Sequence, residues 1–422
     1  MRFFRRHAVL SAAIGALLLA VGAAWWWQRT HTPPMPPMSP LSVLAAPPDW
    51  SLLDPYQRCI TRAEFELLLM NVFTSGDGWR DHIRIHDTSA EIATGDGSFY
   101  QLHFRSGNPP PTPPKYWRAA AEMPPAPPGK PLDGVKIAID PGHIGGKWAD
   151  IEERDLTVPG QPPVKEGDLT LTVAKLLKPR LEALGGTVFL VRENAEPLTP
   201  LRPADLEDEA AATLAANPET SVRKLAERLF YRTAEIRARA EMVNTTLKPD
   251  LVLCIHFNAD AWGSPTNPFM VDRSHLHLLV NGAYADSEIA MADQRFAMLR
   301  KILQGIHPEE TRIASDVAAA MAEATGLPPF RYGPGSVREI PGQPYIYARN
   351  LLANRLYECP VVFTEPYVMN SRTDFARIQA GVFEGTREIA GKPRPSIFRE
   401  YADSLTAGLA RHFTSHRPPA PR

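Results

Sequence analysis

From Val135 onward the chain alternates short, almost wholly apolar runs with longer segments whose apolar residues recur every three or four positions. The short runs are VKIAID (135–140), TVFLVR (187–192), LVLCIHF (251–257), LHLLV (276–280) and PVVFTE (360–365). Their length and β-branched content predict strands. Between the first two, 168–184 predicts a helix with Asp168 at its N-cap. Leu169, Val173, Leu177, Leu181 and Leu184 share one face, Pro179 predicts a kink, and Gly185 ends the helix. Segments 230–244, 313–326 and about 398–412 read as further helices. Strands without a polar face, separated by helices, imply an α/β fold: a mainly parallel sheet with helices on both faces.

Upstream the pattern changes. Two proline-rich stretches, one around 33–40 (PPMPPMSP) and one over 107–132, bracket residues 48–106. The chain's 43 prolines are about twice the average share of roughly 5%, and their clustering marks spacers. Within 48–106, Thr61–Glu64 (TRAE) is a capping box leading into a helix, and HIRIH (82–86) and FYQLHF (99–104) alternate as half-buried strands. This reads as a small α+β module, with His82 and His86 on its solvated face. Further along, 194–229 is a polar, Ala-rich insertion expected to be helical.

The first residues carry an address. Arg2, Arg5 and Arg6 precede the uncharged stretch Ala8–Trp27, which closes on Trp25, Trp26 and Trp27. Such a stretch is long enough to span a bilayer as a helix, with the arginines cytoplasmic and the tryptophans at the far interface. The alternative is a signal peptide cut near Val21-Gly22-Ala23. Both export the remainder: to the periplasmic side of the inner membrane if anchored, or as a secreted protein if cleaved. The net charge of −1 over 422 residues gives no general attraction to nucleic acid. Cys59, Cys254 and Cys359 are too few for a disulfide framework; Cys254 and Cys359 read as buried thiols, with their pairing left open.

Ligands of open α/β sheets bind beyond the carboxyl ends of the strands, and those ends are unusually polar here. One strand delivers Asp140 and His143, a second His256 and Asn258, a third Glu365; Glu166 stands just before the helix that starts near Asp168. Singly, His143 reads as a hydrogen-bonded loop residue, Glu166 as a helix-start charge and His256 as a core histidine. Glu365, at the end of a buried strand, is costly to bury unless paired or functional. Together, two histidines and one carboxylate form a zinc-type ligand set with a position left for water, and a further glutamate suits a general base. The same trio also suits non-haem iron.

IAIDPGH, KEGDLTLTVAKLL, VLCIHFNA and PVVFTEPYVMN resemble, in order, the four motifs of the zinc-dependent N-acetylmuramoyl-L-alanine amidases, the amidase-3 family of cell-wall hydrolases. The resemblance spans about 135–395. It implies one zinc ion held by His143, Glu166 and His256, with Glu365 as the catalytic glutamate. It also implies peptidoglycan as the substrate, cut between N-acetylmuramic acid and L-alanine. Arg239 to Asn244 resembles the family's Arg-to-Asn helix. The expected layout is a signal anchor or signal peptide (1–30), spacer (31–47), α+β module (48–106), linker (107–132), zinc amidase domain (133–412) and disordered tail (413–422).

Several features depart from the family pattern. HIGG replaces His-Gly-Gly, Cys254 stands where serine is common, and no glycine follows Glu365. The long stretch from His143 to Glu166 makes Glu153 a rival carboxylate ligand. Gly145 and Gly146 are expected to leave room for substrate. Residues 284–311 lengthen the connection after LHLLV; Ile289, Phe296, Leu299, Ile302 and Leu303 form a stripe, with Asp286, Glu288 and Asp293 nearby. One expectation is a lid over the cleft, moved by an activator protein; the other is a helix that only extends the sheet's cover. Two other functions fit the residues: a zinc peptidase or deacylase acting on another amide, and a non-catalytic wall-binding or activator protein.

Overall fold

The computed structural model describes residues 38–107, 112–214, 221–264, 266–333, 335 and 337–419. The expected membrane helix at 8–27 lies outside the described residues. Among the described residues, no helix is long and apolar enough to cross a membrane.

The N-terminal region builds helix α1 (Arg62–Leu68) and strands β1 (Ile83–Ile85), β2 (Ser89–Ala93) and β3 (Phe99–His103), an antiparallel three-stranded sheet. Thr61 and Glu64 close the expected capping box. His82 is buried, which corrects the expectation that it is solvated. Its carbonyl accepts from Ala93 N at 2.8 Å, so it continues the pairing of β1 with β2 while its side chain is buried.

The main sheet has seven strands: β4 (Lys136–Pro141), β5 (Thr187–Leu190), β6 (Leu251–Ile255), β7 (Leu276–Val280), β8 (Arg338–Glu339), β9 (Ile346–Ala348) and β10 (Val361–Pro366). Their spatial order is β8-β9-β7-β10-β6-β4-β5. β5, β4, β6 and β10 are mutually parallel. β7 runs antiparallel to β10, pairing His277 with Glu365, and β8 runs antiparallel to β9. The sheet is thus mostly parallel but mixed. The carboxyl ends of β4, β6 and β10 share an edge with the start of β7.

Alternate side chains of each strand enter different cores. Ile137, Ile139, Leu253, Ile255 and Leu278 meet helices α2 (Glu166–Ala183), α5 (Ile306–Thr325) and α6 (Ile397–His416). Ala138, Val252, Cys254, Leu279 and Phe363 face the opposite layer, which includes Ala240 and Val243 of the segment running through helix α3 (Glu235–Glu241). With both faces covered, the strands have no use for polar alternation. Of the insertion expected to be helical over 194–229, residues 203–214 and 222–229 are helical, 194–202 are not, and 215–220 lie outside the described residues. The three cysteines are free thiols.

Three expectations change. The insertion forms a short helix, Asp286–Ile289, and helix α4 (Ala292–Leu303). Its stripe lies on the N-terminal module, not over the cleft: Ile289, Leu299, Ile302 and Leu303 share one core with Leu53, Phe65, Ile83 and Leu102, and Phe296 meets Trp50 edge-on at 5.4 Å. The acidic residues are occupied there as well. Asp286 accepts from Gly78 N at 2.9 Å, Asp293 from Ser42 N at 2.8 Å, and Glu288 from Ala285 N at 2.8 Å. The lid reading, and with it an activator that moves a lid, is therefore overturned. The module was the apolar partner that the stripe required.

Second, the linker is not free: Trp117, Ala120, Met123 and Leu132 are buried in the main cores. Third, the expected tail begins late, because α6 continues to His416. Arg417 then donates to the carbonyls of Pro124, Pro131 and Asp133 at 2.5–2.9 Å. Residues 420–422 lie outside the described residues.

Candidate metal centre and cleft

β4 ends at Pro141, and the next residues turn so sharply that His143 takes a left-handed φ of 60°. A buried network holds this turn. Arg239 on α3 donates to Asp140 at 2.8 Å, to the Pro141 carbonyl at 2.9 Å and to the His143 carbonyl at 2.9 Å. Glu235 supports the guanidinium at 2.7 Å, and the Tyr357 hydroxyl donates to the other Asp140 oxygen at 2.6 Å. Asp140 at the strand end thus serves as an anchor for the turn. A side chain at Gly142 would collide with the His256 ring, whose atoms lie 2.3–2.6 Å from where its Cβ would sit.

Glu166 opens α2 and is almost fully buried. Its Oε2 lies 3.2 Å from His143 Nε2, and its Oε1 lies 3.1 Å from His256 Nδ1. Phe257 N and Arg154 Nε also approach it, each at 3.2 Å. Burial alone would push this carboxyl up, but His143, His256 and Arg154 outweigh it and hold the group at about 2. The close packing that brings Glu166 to His143 explains two glycines: a Cβ on Gly167 would lie 2.3 Å from Gly145 N, and one on Gly145 would lie 2.5 Å from an Asp168 oxygen. Gly145 therefore makes room for the start of α2, not for substrate.

The ligand atoms of His143, Glu166 and His256 all lie within 4.8 Å of one another. Two donors about 2.1 Å from a tetrahedral ion stand roughly 3.4 Å apart, a little wider than the 3.1 and 3.2 Å separations seen here. The set fits a divalent ion. Glu153, the rival carboxylate, is exposed at the rim of the cleft and stands outside this group. Its neighbour Glu152 matters more. Glu152 is buried, accepts from Ile144 N and Gly145 N, and lies 3.5 Å from His143 Nδ1. A carboxylate behind a ligating histidine fixes its ring and tautomer. In the sequence, Glu152 was only one acidic residue of several.

Glu365 sits at the same edge on β10. Burial raises its carboxyl; His256 pulls it down and Glu166 pushes it up again, leaving it at about 7. The cleft over these residues has a volume of about 580 Å³. Its wall includes residues the sequence had not marked: Trp262, His277, Phe330, Tyr332 and Arg349. Tyr332 OH lies 2.8 Å from His277 Nε2. Burial, helped by His275 and Arg349, brings His277 down to about 3, so it is neutral. His277 carries no signal of its own, because β7 reaches the cleft by its first residues, from the opposite direction; the other four stand on segments outside the strands.

The family model for N-acetylmuramoyl-L-alanine amidase matches residues 137–386, more than half of the chain. The chain belongs to the N-acetylmuramoyl-L-alanine amidase family. It is an amidase acting on peptidoglycan, and the readings as another zinc peptidase or as a non-catalytic wall protein give way. The family is generally zinc-dependent. Among solved structures, this amidase is similar to Ami1 from Mycobacterium smegmatis, with 17% identity, 67% of this chain and 99% of that chain covered, and a TM-score of 0.35. It is similar also to the CwlD amidase from Clostridioides difficile, solved in complex with the GerS lipoprotein, with 13% identity, 67% and 100% covered, and a TM-score of 0.38. A third is AmiC2 of Nostoc punctiforme, with 16% identity, 67% and 98% covered, and a TM-score of 0.34. No curated protein matches.

In this amidase the position after Glu365–Pro366, where the family's glycine is missing, is Tyr367 at φ 63°. A non-glycine residue there is strained. Burial of its ring and a 2.9 Å bond from its hydroxyl to Glu400 hold it.

Proposed function

We propose that His143, Glu166 and His256 hold one zinc ion and that Glu365 is the general base in hydrolysis of the amide between N-acetylmuramic acid and L-alanine. The observation that carries this reading is the clustering of the three ligand atoms within 4.8 Å, beside a second carboxyl group, Glu365, at the carboxyl edge of the sheet. Zinc in such a site supplies a Lewis acid for the scissile carbonyl and makes water acidic near neutrality.

The protein's own groups do the rest. Glu365 accepts a proton from the attacking water as the new C–O bond forms, and returns it to the L-alanine nitrogen as the C–N bond breaks. Its pKa of about 7 suits both halves of that exchange, although a bound dication would lower it. Glu152 orients His143, and the Arg239 network holds the loop that carries it. Neutral His277 and Tyr332 form the opposite wall and position substrate. The enzyme acts on the periplasmic side of the inner membrane, anchored or released according to the fate of residues 8–27.

Digesting purified peptidoglycan with the protein, with and without chelator, tests this reading. Mass analysis should find stem peptides with a free L-alanine amino group, and only when metal is present. Undiminished release of those peptides after metal is stripped would overturn the zinc assignment.

A further inference from the structure

A second cluster of ligating side chains lies away from the cleft, where α5 and α6 pack together. His412 and His416 are four residues apart and so project from the same face of α6. Asp316 of α5 meets both: its Oδ2 is 3.1 Å from His412 Nδ1 and 3.2 Å from His416 Nε2. Behind them, His412 Nε2 lies 3.1 Å from Glu309 Oε1. Glu309 is itself fixed, accepting from Ala120 N at 2.8 Å and from Arg312 at 2.9 Å. The His412 side chain is fully buried, whereas those of Asp316 and His416 are 20% and 37% exposed, leaving a route from solvent.

We propose that Asp316, His412 and His416 bind a second divalent transition-metal ion, zinc by the chemistry of the donors, with Glu309 orienting His412. The ligand atoms lie within 4.8 Å of one another, as in the cleft, and their separations suit a tetrahedral ion equally well. Two imidazoles and a carboxylate favour zinc and its neighbours over magnesium or calcium. The Glu309–His412 contact repeats the carboxylate behind a ligating histidine that metal sites use to set the tautomer. These donors join two packed helices and do not line the cleft. The role is therefore structural: the ion ties the last turn of α6 to α5, one residue before Arg417 clasps the segment that leads into the domain.

Zinc binding to the full chain in detergent tests the site. Changing both His143 and His256 to alanine disables the cleft set, so any tight zinc in that variant reports on the α5–α6 cluster. We expect two zinc ions per chain in the unaltered protein, one in the cleft-disabled variant and one in His416→Asn. Glu309→Gln should weaken the second site by roughly 10–100-fold. Cobalt loaded into the cleft-disabled variant should give the visible absorption of a low-coordinate site, lost in Asp316→Asn. A folded cleft-disabled variant that takes up no zinc would overturn the proposal. If that variant does not fold, the comparison of the unaltered protein with His416→Asn decides instead. Both retain the cleft ligands, and equal zinc content would reject the second site.

Discussion

Two clusters in this protein share one inventory, two histidines and a carboxylate with the middle member buried, yet their surroundings differ. In the cleft the buried member is Glu166, and the partly exposed imidazoles face a space of about 580 Å³ with Glu365 beside them. Between α5 and α6 the buried member is His412, and its outward neighbours meet solvent at the end of a helix. The ligands alone therefore do not make an enzyme. A base whose pKa is raised by burial, and a wall that holds substrate, make the difference.

The sharpest way to test that contrast is to remove the base and leave the ligands. Glu365→Gln should keep the cleft zinc and lose roughly 10²–10⁴-fold in rate. Normal turnover would end the assignment, and loss of metal would make Glu365 a ligand. Leu299→Ala acts far from both clusters, in the core shared by α4 and the module. It should cost about 2–5 kcal/mol in stability and leave the turnover of folded enzyme unchanged. A rise in turnover would return the lid that the structure removes. Glu152→Gln should weaken cleft zinc by roughly 10–100-fold while the α5–α6 cluster is unaffected; an equal effect on both would mean that the variant perturbs the fold.

The acid limb of kcat/KM offers a finer measurement. Glu365 must be ionised to act as a base, so rate should fall as pH drops through its pKa, which the protein's groups place at about 7 and bound metal lowers. The Arg349 cation pulls that pKa down. Replacing Arg349 with methionine favours the protonated carboxyl and should shift the limb slightly to higher pH. A shift to lower pH would show that another group titrates.

Much of this architecture was legible because its signals are local. A run such as LVLCIHF announces a strand buried on both faces, and a histidine or glutamate at its end has few other reasons to be there. The direction of β7 was not legible, since antiparallel and parallel strands look alike when both faces are buried, and with it went His277. The stripe on α4 was read correctly as apolar, but periodicity says only that a face is covered, not by what. Its cover was the module, roughly two hundred residues upstream. Glu152 escaped because a carboxylate that contacts a ligand, and not the metal, leaves no spacing to recognise. The helical end at 413–416 was missed because proline and arginine nearby suggested a loose terminus, whereas Arg417 has three carbonyls to bind.

The Tyr401 hydroxyl lies 3.1 Å from the His256 carbonyl oxygen and 3.0 Å from that of Thr364, and it donates to one of them. Through this contact the final helix supports the strand ends that carry the cleft. The cleft thus draws support from a helix that follows all of its strands in the sequence. A chain ending at Ser396 should accordingly fail to retain cleft zinc, measured by metal content after gel filtration; full retention would show that the earlier strands set the cleft unaided.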